Sequence, residues 1–315
     1  MAESVGDLGE FGLIAEVTAG LPTSDRVVVG PGDDCAVFTA AGAVAVSTDT
    51  MVQGRHWRDT WSSAHDVGRK AVASAVADLE AEGARPFGLV MSLSLPPETP
   101  AAWAREFSAG VREECATADV LLLGGDLTSA PHIVVTATVF GDLEGRRPVT
   151  RAGATPGDVV AIRGRLGWAE AGVAVLNRGF RSPAAVVLAH RAPEPPYGQG
   201  VVAAEAGATA MIDVSDGLLA DLGHIAEASG VVIDVRAGAF DVAGPQQAVA
   251  AALGGKDPLH FILTGGDDHA LAATFASGSV PDGWKVVGTV AAGEPRVLVD
   301  GSPWTAGPAG WDHFA

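Results

Sequence analysis

Gly30-Pro31-Gly32-Asp33-Asp34-Cys35 is followed by Ser47-Thr48-Asp49-Thr50 and then by His56-Trp57. Two short β-prone runs, 35–39 and 43–47, flank an Ala-Ala-Gly turn. The spacing predicts a hairpin whose open ends bring Asp33 and Asp34 beside Ser47, Thr48 and Asp49. Three carboxylates and two hydroxyls then share one edge of a sheet. Like charges that close repel unless a cation stands between them. Hard oxygen donors suit Mg²⁺, which takes one or two carboxylates together with substrate phosphates. The stretch therefore reads as a metal–phosphate site.

The chain has 315 residues, room for two domains, and a formal net charge of −18. Such an acidic balance argues against nucleic acid and anionic membranes as partners, since no Lys/Arg run would neutralise phosphates. A phosphorylated substrate would need metal ions to bind. Cys35 and Cys115 show no metal-ligand spacing and are too few for a disulfide framework. That fits a reducing cytoplasm. The first residues lack the basic and apolar regions of a signal peptide, and no apolar run approaches a membrane span.

An amphipathic helix is predicted over 9–20 with Phe11, Ile14 and Val17 on one face. A polar loop over 51–60 carries Arg55, His56 and Trp57, and a strong helix over 65–82 stops at Gly83. Asp78 falls near the end of that helix, where the dipole disfavours an anion. It reads as a solvated surface acid or as an acid with a cation partner. A strand over 87–95 and a helix over 100–117 follow. A short apolar strand over 120–123, expected to be buried on both faces, runs into Gly124-Gly125-Asp126. Another strand covers 132–141. Strands and helices do not alternate strictly, which points to an α+β fold. The basic stretch 146–151 marks a boundary. Beyond it, strands are predicted over 159–163, 210–214, 231–235, 269–275, 285–290 and 296–299. Helices are predicted over 167–177, 183–190, 199–207 and 218–229.

Four clusters share one grammar of small residues and acids, each placed by this reading at a strand end. They are Gly32-Asp33-Asp34, Gly124-Gly125-Asp126, Asp213-Val214-Ser215-Asp216-Gly217 and Gly265-Gly266-Asp267-Asp268. Glycine lets backbone N–H groups approach a phosphate, and neighbouring carboxylates hold the metal that bridges its oxygens. Each alone is ordinary turn chemistry; their recurrence in one acidic chain points to function. Ser215 or Asp216 could instead cap the helix that follows, or that helix start could receive a phosphate. His56 beside Trp57 reads as a packed histidine or as a hydrogen-bonding group for substrate. Arg151 reads as a surface base or a phosphate partner, and Trp311 as core packing or a ring that stacks on a planar substrate. No Gly-x-x-x-x-Gly-Lys-Ser/Thr loop and no protein-kinase signature set is present, so phosphoryl transfer here would rely on metals.

With these residues assembled, the chain resembles the thiamine-monophosphate kinase family. The matching stretches are Gly9-Glu10-Phe11, Gly32-Asp33-Asp34-Cys35-Ala36, Ser47-Thr48-Asp49 with Gly54 and His56, Lys70-Ala71 with Asp78-Leu79, and Gly124-Gly125-Asp126. They continue with Arg151, Gly153-Ala154 and Pro156-Gly157-Asp158, then Asp213 with Ser215-Asp216-Gly217-Leu218, Gly265-Gly266-Asp267-Asp268 and Gly310-Trp311-Asp312-His313-Phe314. The resemblance implies ATP-dependent phosphorylation of thiamine monophosphate to thiamine diphosphate, with several Mg²⁺ ions. It also implies the two-domain fold shared with aminoimidazole ribonucleotide synthetase and selenophosphate synthetase. Residues 1–145 would form a mixed sheet with helices on one face, binding metal and ATP and joining a homodimer. Residues 146–315 would form an α/β sandwich-like domain completing the ATP and substrate site. By position, Asp34, Ser47, Thr48, Asp49, Asp78, Asp126, Asp213 and Asp216 would be metal ligands, with Asp49, Asp126 and Asp216 catalytic. Gly125, Asp126, Arg151 and Ser215 would contact ATP, and His56, Asp267 and Trp311 the thiamine substrate. The family often has Gly-Gly-Glu-Asp-Tyr where this chain has Gly265-Gly266-Asp267-Asp268-His269, and a tyrosine near the nucleotide is replaced at about Ser108. Alternatives are another ATP-using synthetase of the same fold, or a non-catalytic nucleotide- or metal-binding protein. Against a selenophosphate synthetase, no cysteine precedes Cys35 and no lysine precedes Lys70.

Overall fold

A computed structural model describes residues 3–33, 35–255 and 257–311. The chain divides into two compact units, one of residues 1–79 and 84–145, the other of 80–83 and 146–315. Both mix helices and sheets, as an α+β chain should.

In the first unit the elements run α1 (Val5–Thr18), β1 (Val27–Val29), β2 (Val37–Phe38), β3 (Val44–Val52), α2 (Ala64–Ala81), β4 (Arg85–Leu95), α3 (Ala101–Thr117), β5 (Leu121–Ser129) and β6 (Val134–Asp142). Among the described residues the main sheet has the order β3-β6-β4-β5. Its first three strands are antiparallel neighbours and β5 joins β4 in parallel, which makes the sheet mixed. Strand alternation sorts its two faces. Met51, Leu89, Leu93, Val135, Ala137 and Val139 form the buried one. Thr48, Thr50, Thr136 and Thr138 lie on the other, where the hydroxyls of Thr48 and Thr138 pair at 3.0 Å and those of Thr50 and Thr136 at 2.9 Å. α2 and α3 cross backbone to backbone: a Cβ added at Gly110 would stand 2.0 Å from the His65 carbonyl oxygen.

Four expectations are corrected here. The predicted hairpin does not form: β2 pairs with β1, and β3 pairs with β6 along nine residues. Long-range pairing offers β3 a complete ladder, which the short Ala-Ala-Gly turn cannot match. Gly124-Gly125-Asp126 sits inside β5 rather than at its end, just past an irregularity in the register with β4. β5 is an edge strand, so it is half open and not buried on both faces. In the N-terminal helix Phe11 is 80% exposed, and Val5 and Leu13 are the buried residues. Gly9, at φ 70°, breaks α1 and rotates the expected stripe.

The second unit runs β7 (Val159–Arg163), α4 (Trp168–Leu176), α5 (Ala184–Arg191), α6 (Gln199–Glu205), β8 (Ala210–Val214), α7 (Leu218–Ser229), β9 (Val231–Val235), α8 (Gly244–Ala252), α9 (Leu259–Thr264), β10 (Ala270–Phe275), β11 (Lys285–Ala292), β12 (Arg296–Val299) and β13 (Ser302–Pro303). Its sheet has the order β13-β12-β9-β11-β7-β10-β8 among the described residues. Both faces of β10 are buried. Ala270 and Ala272 join a core with Leu218, Leu222 and Ile225 of α7, whereas Leu271, Ala273 and Phe275 join one with Ala203 of α6 and Trp284. The sheet is thus covered on both sides.

Candidate functional site

In the first unit β3 carries Ser47 and Asp49 on the face that packs on α2, and Thr48 on the opposite face. The Ser47 hydroxyl donates to Asp78 Oδ2 at 2.5 Å. The α2 acid set against the helix dipole is therefore not a solvated bystander; it joins the β3 donors. Thr48 does not join them, because its hydroxyl is engaged with Thr138. Past β3 the chain turns through a bridge between Gln53 and Trp57, whose ring is buried. There His56 Nδ1 accepts the Val52 N–H at 2.9 Å, which places the imidazole proton on Nε2.

Asp126 lies in register with Ser92 and Thr136, on the sheet face opposite Asp49. It is exposed at the mouth of a cavity of about 540 Å³ lined by Ile14, Phe38, Val90, Phe107, Leu122 and Gly124, among others. Asp33, Cys35, Ser108 and Gly125 also line it. The volume and apolar lining suit a small organic ligand with a few polar anchors. Asp34 lies outside the described residues.

In the second unit one turn organises the site. β8 ends at Asp213-Val214, and Ser215-Asp216-Gly217 leads into α7. Neither Ser215 nor Asp216 caps α7, contrary to the capping alternative. Asp221 reaches back instead, its Oδ2 accepting the N–H of Asp216 at 3.1 Å and of Gly217 at 3.0 Å. Burial, with the charges of Asp213 and Asp216 beside it, pushes the Asp221 carboxyl up to about 7.

The Gly265–His269 segment is fastened to that turn. Asp267 N–H donates to the Ser215 carbonyl at 2.8 Å, and His269 N–H to the Val214 carbonyl at 3.0 Å. A Cβ at Gly266 would stand 2.1 Å from the Ser215 carbonyl oxygen, so only glycine permits this approach. Trp311 N–H donates to the Asp216 carbonyl at 2.9 Å, and its ring is largely exposed. Asp213, Ser215, Asp216, Asp267 and Trp311 are thereby brought together. Arg151 is not: its carbonyl accepts the hydroxyl of Ser229, at the far end of the 12-residue α7. A helix of that length spans about 18 Å.

Four side chains here escaped the sequence reading as site residues: Glu170, His190, Asp221 and His269. His269 Nδ1 lies 3.0 Å from Asp213 Oδ2, with both side chains buried. His190 Nδ1 lies 3.3 Å from Asp267 Oδ2. Burial, then the charge of Asp267, pushes the Glu170 carboxyl up to about 7. Asp268 is buried and caps α4, accepting the N–H of Trp168 and of Ala169 at 3.0 Å each. The sequence signal was a histidine at Val186 plus four on an apolar helix face, which reads as core.

Among the described residues no group of three or more histidine, cysteine, aspartate or glutamate side chains forms a metal cage. The donors instead form open sets of carboxylate and hydroxyl oxygens, such as Ser47 with Asp78. That fits Mg²⁺, whose shell is commonly completed by water and substrate phosphates.

Comparison with known proteins bears on what these groups serve. The family described as AIR synthase related protein, N-terminal domain, matches residues 32–143. The thiamine-monophosphate kinase of Mycobacterium tuberculosis is 49% identical over 98% of this chain and 92% of its own length. A crystal structure of the thiamine-monophosphate kinase from Stenotrophomonas maltophilia K279a superposes with a TM-score of 0.80 at 31% identity, covering 93% of this chain and 95% of that one. AaThiL complexed with AMPPCP and TMP superposes with a TM-score of 0.79 at 28% identity, covering all of both chains. On the extent of these likenesses, the chain belongs to the thiamine-monophosphate kinase family.

Proposed function

We propose that the chain transfers the γ-phosphoryl group of ATP to thiamine monophosphate, yielding thiamine diphosphate. The observation that carries this reading is the fastening of the Gly265–His269 segment and Trp311 onto the Asp213–Gly217 turn. It sets phosphate-handling acids beside an acid and an exposed indole, the pair of groups that suits a cationic heteroaromatic substrate. A TM-score of 0.79 to AaThiL complexed with AMPPCP and TMP supports it.

The nucleophile is a terminal oxygen of the substrate phosphate, already anionic, so no strong general base is needed. What the site must supply is alignment and relief of repulsion between two anions. Bound Mg²⁺ supplies that relief by neutralising phosphate charge. Ser47, Asp49 and Asp78 would hold one ion on one face of the first unit's sheet; Asp126, on the opposite face, would hold a separate one, and so would Asp213 and Asp216 of the second unit. Asp34 belongs to the proposed set by sequence alone, and Thr48 is left out of it as a side-chain donor. The cavity beside Gly125 and Asp126 would receive the adenosine part of ATP, with apolar walls against the base. Ser215 and Arg151 would contact other parts of the nucleotide, the latter from the far end of α7. His56 would offer its Nε2–H to the substrate, Asp267 its charge, and Trp311 its ring.

We also place the enzyme in the cytoplasm as a homodimer. Cys35 and Cys115 are both free thiols. Val44 and Val46, 39% and 58% exposed on the β3 edge strand of the first unit's sheet, would be covered by a second copy. The test of the activity is incubation with ATP, Mg²⁺ and thiamine monophosphate, with product identified by mass. Thiamine diphosphate formed only when all three are present is the expected result; its absence with folded protein overturns the proposal.

A further inference from the structure

Among the buried titratable side chains that the reaction above does not use is one that faces a proposed substrate contact. His190, 5% exposed, sits in the last turn of α5. α5 crosses α4 at Gly172, where an added Cβ would stand 2.2 Å from the Val186 carbonyl oxygen and 3.0 Å from the His190 Cβ. This close crossing seats the imidazole against α4, with its Nδ1 3.3 Å from Asp267 Oδ2. Burying an imidazole is costly unless its nitrogens meet partners. Here Nδ1 stands at ion-pair distance from the side chain of a partly exposed acid.

Asp267 is fixed at its other end too. It holds φ 70°, an uncommon conformation for a side-chain-bearing residue, and its N–H is spent on the Ser215 carbonyl. The backbone thus sets where the side chain starts. Glu170, which feels the charge of Asp267, offers repulsion rather than support when ionised. The imidazole of His190, at ion-pair distance from Asp267 Oδ2, is a group placed to oppose this repulsion when Nδ1 carries a proton.

We propose that His190 is a positioning residue, holding the Asp267 carboxylate in the orientation that receives the cationic ring of the substrate. The proposal rests on the assignment of Asp267 to the thiamine substrate made above.

The test compares full-length wild type with His190→Phe, His190→Asn, Asp267→Asn and the His190→Phe/Asp267→Asn double variant. Steady-state kinetics would be read for both substrates. His190→Phe is expected to raise KM for thiamine monophosphate about tenfold, the worth of a hydrogen bond to a charged group. KM for ATP and kcat should stay within about twofold, as for loss of uniform binding. Asparagine keeps an N–H near the place of Nδ1, so His190→Asn should recover most of the loss. In the Asp267→Asn background His190→Phe should add nothing. Histidine ring ¹⁵N spectra of the substrate-free protein should show a protonated His190 Nδ1 whose signal moves in Asp267→Asn. If Asp267→Asn raises KM and His190→Phe does not, the positioning role alone is overturned. If Asp267→Asn leaves KM unchanged, the assignment of Asp267 to substrate fails, and the proposal with it. Should His190→Phe not fold, His190→Gln takes its place, with its donor where Nε2 stood. A raised KM in that variant but not in His190→Asn supports the proposal, and equal values overturn it.

Discussion

Asp49 and Asp216 separate function from folding at the level of single residues. Asp216 is bound into the fold through its backbone: its N–H donates to Asp221 and its carbonyl accepts from Trp311. Asp49 sits mid-strand in β3, where its ladder with Ala137 is likewise backbone. Asparagine at either position keeps shape and those bonds while removing a charge. Turnover is expected to fall at least about a hundredfold in each, the scale of losing one electrostatic contributor to a developing charge. Circular dichroism and thermal melting should stay near wild type. Unaltered turnover would remove these acids from the machinery. Asp213, Asp216, Asp267 and Trp311 were legible in the sequence because they fall in short contiguous motifs. Asp221, His190 and Glu170 were not, because each enters through a partner brought to it by tertiary contact. An acid four residues into a helix reads as a surface residue until its oxygen is seen on two N–H groups.

Elements read best where local chemistry and tertiary pairing agreed. α7 and β9 match their predicted spans to the residue, since Gly217 and Gly230 punctuate an amphipathic run and a β-branched one follows. Among the predicted strands β3 and β5 depart most, because pairing partners far along the chain outweighed nearby turn signals, and the short helices α8 and α9 carried no prediction. α1 is a different case: it buries little, and α3 ties it down. Arg105 bonds Glu3 and Glu16 at 2.8 Å each, and Arg112 Nη2 donates to the Val17 carbonyl at 2.8 Å. The exposed Arg105 ion pairs contribute about 0–1 kcal/mol each, and the Arg112 contact is a hydrogen bond to a carbonyl, so α1 should open locally at little global cost. Arg112→Ala is expected to speed amide exchange over 5–19 with the melting temperature nearly unchanged. Because Leu13, Ile14 and Val17 line the cavity, KM for ATP should rise with it. Unchanged exchange would show that burial, not Arg112, holds the helix. The α2–α3 crossing behaves oppositely. Gly110→Val puts a branched side chain where a lone Cβ already meets the His65 carbonyl at 2.0 Å. That overpacking is expected to cost about 1–3 kcal/mol or more, read as a lower unfolding midpoint.

At the scale of the whole chain, two electrostatic terms act in one direction. Burial, then the Asp267 charge, raises Glu170 from an ordinary 4.5 to about 7. Burial raises Asp268 from 3.8 to about 7, against the N–H groups it caps. Between those values the unfolded chain has released protons that the folded chain keeps. Folding therefore takes up protons there, and stability falls as pH rises through the window. The contribution is complete below about pH 4 and gone above about pH 7. Asp142 is shifted the other way, by N–H groups and Arg26 against its burial. Its contribution is lost only as pH drops below the ordinary value of 3.8 and so does not offset the trend. The net charge of −18 adds self-repulsion that grows as the remaining protons leave. The melting temperature of Mg²⁺-free protein is therefore expected to be about 2–5 °C higher near pH 6 than near pH 8. Salt separates the two terms: 0.3 M NaCl should shrink the part due to surface repulsion and leave the buried part, which ions screen far less. Glu170→Gln should remove its own share of what remains, since glutamine has no proton to release, and leave the shares of Asp268 and Asp221. Glu170, Asp268 and the likewise raised Asp221 all lie in the second unit. If unfolding shows two transitions, the one assigned to residues 146–315 should carry the pH dependence. A melting temperature that rises from pH 6 to 8 in wild type would mean that Glu170 and Asp268 are ionised in the folded chain, and that the charge of Asp267 is balanced by more than His190.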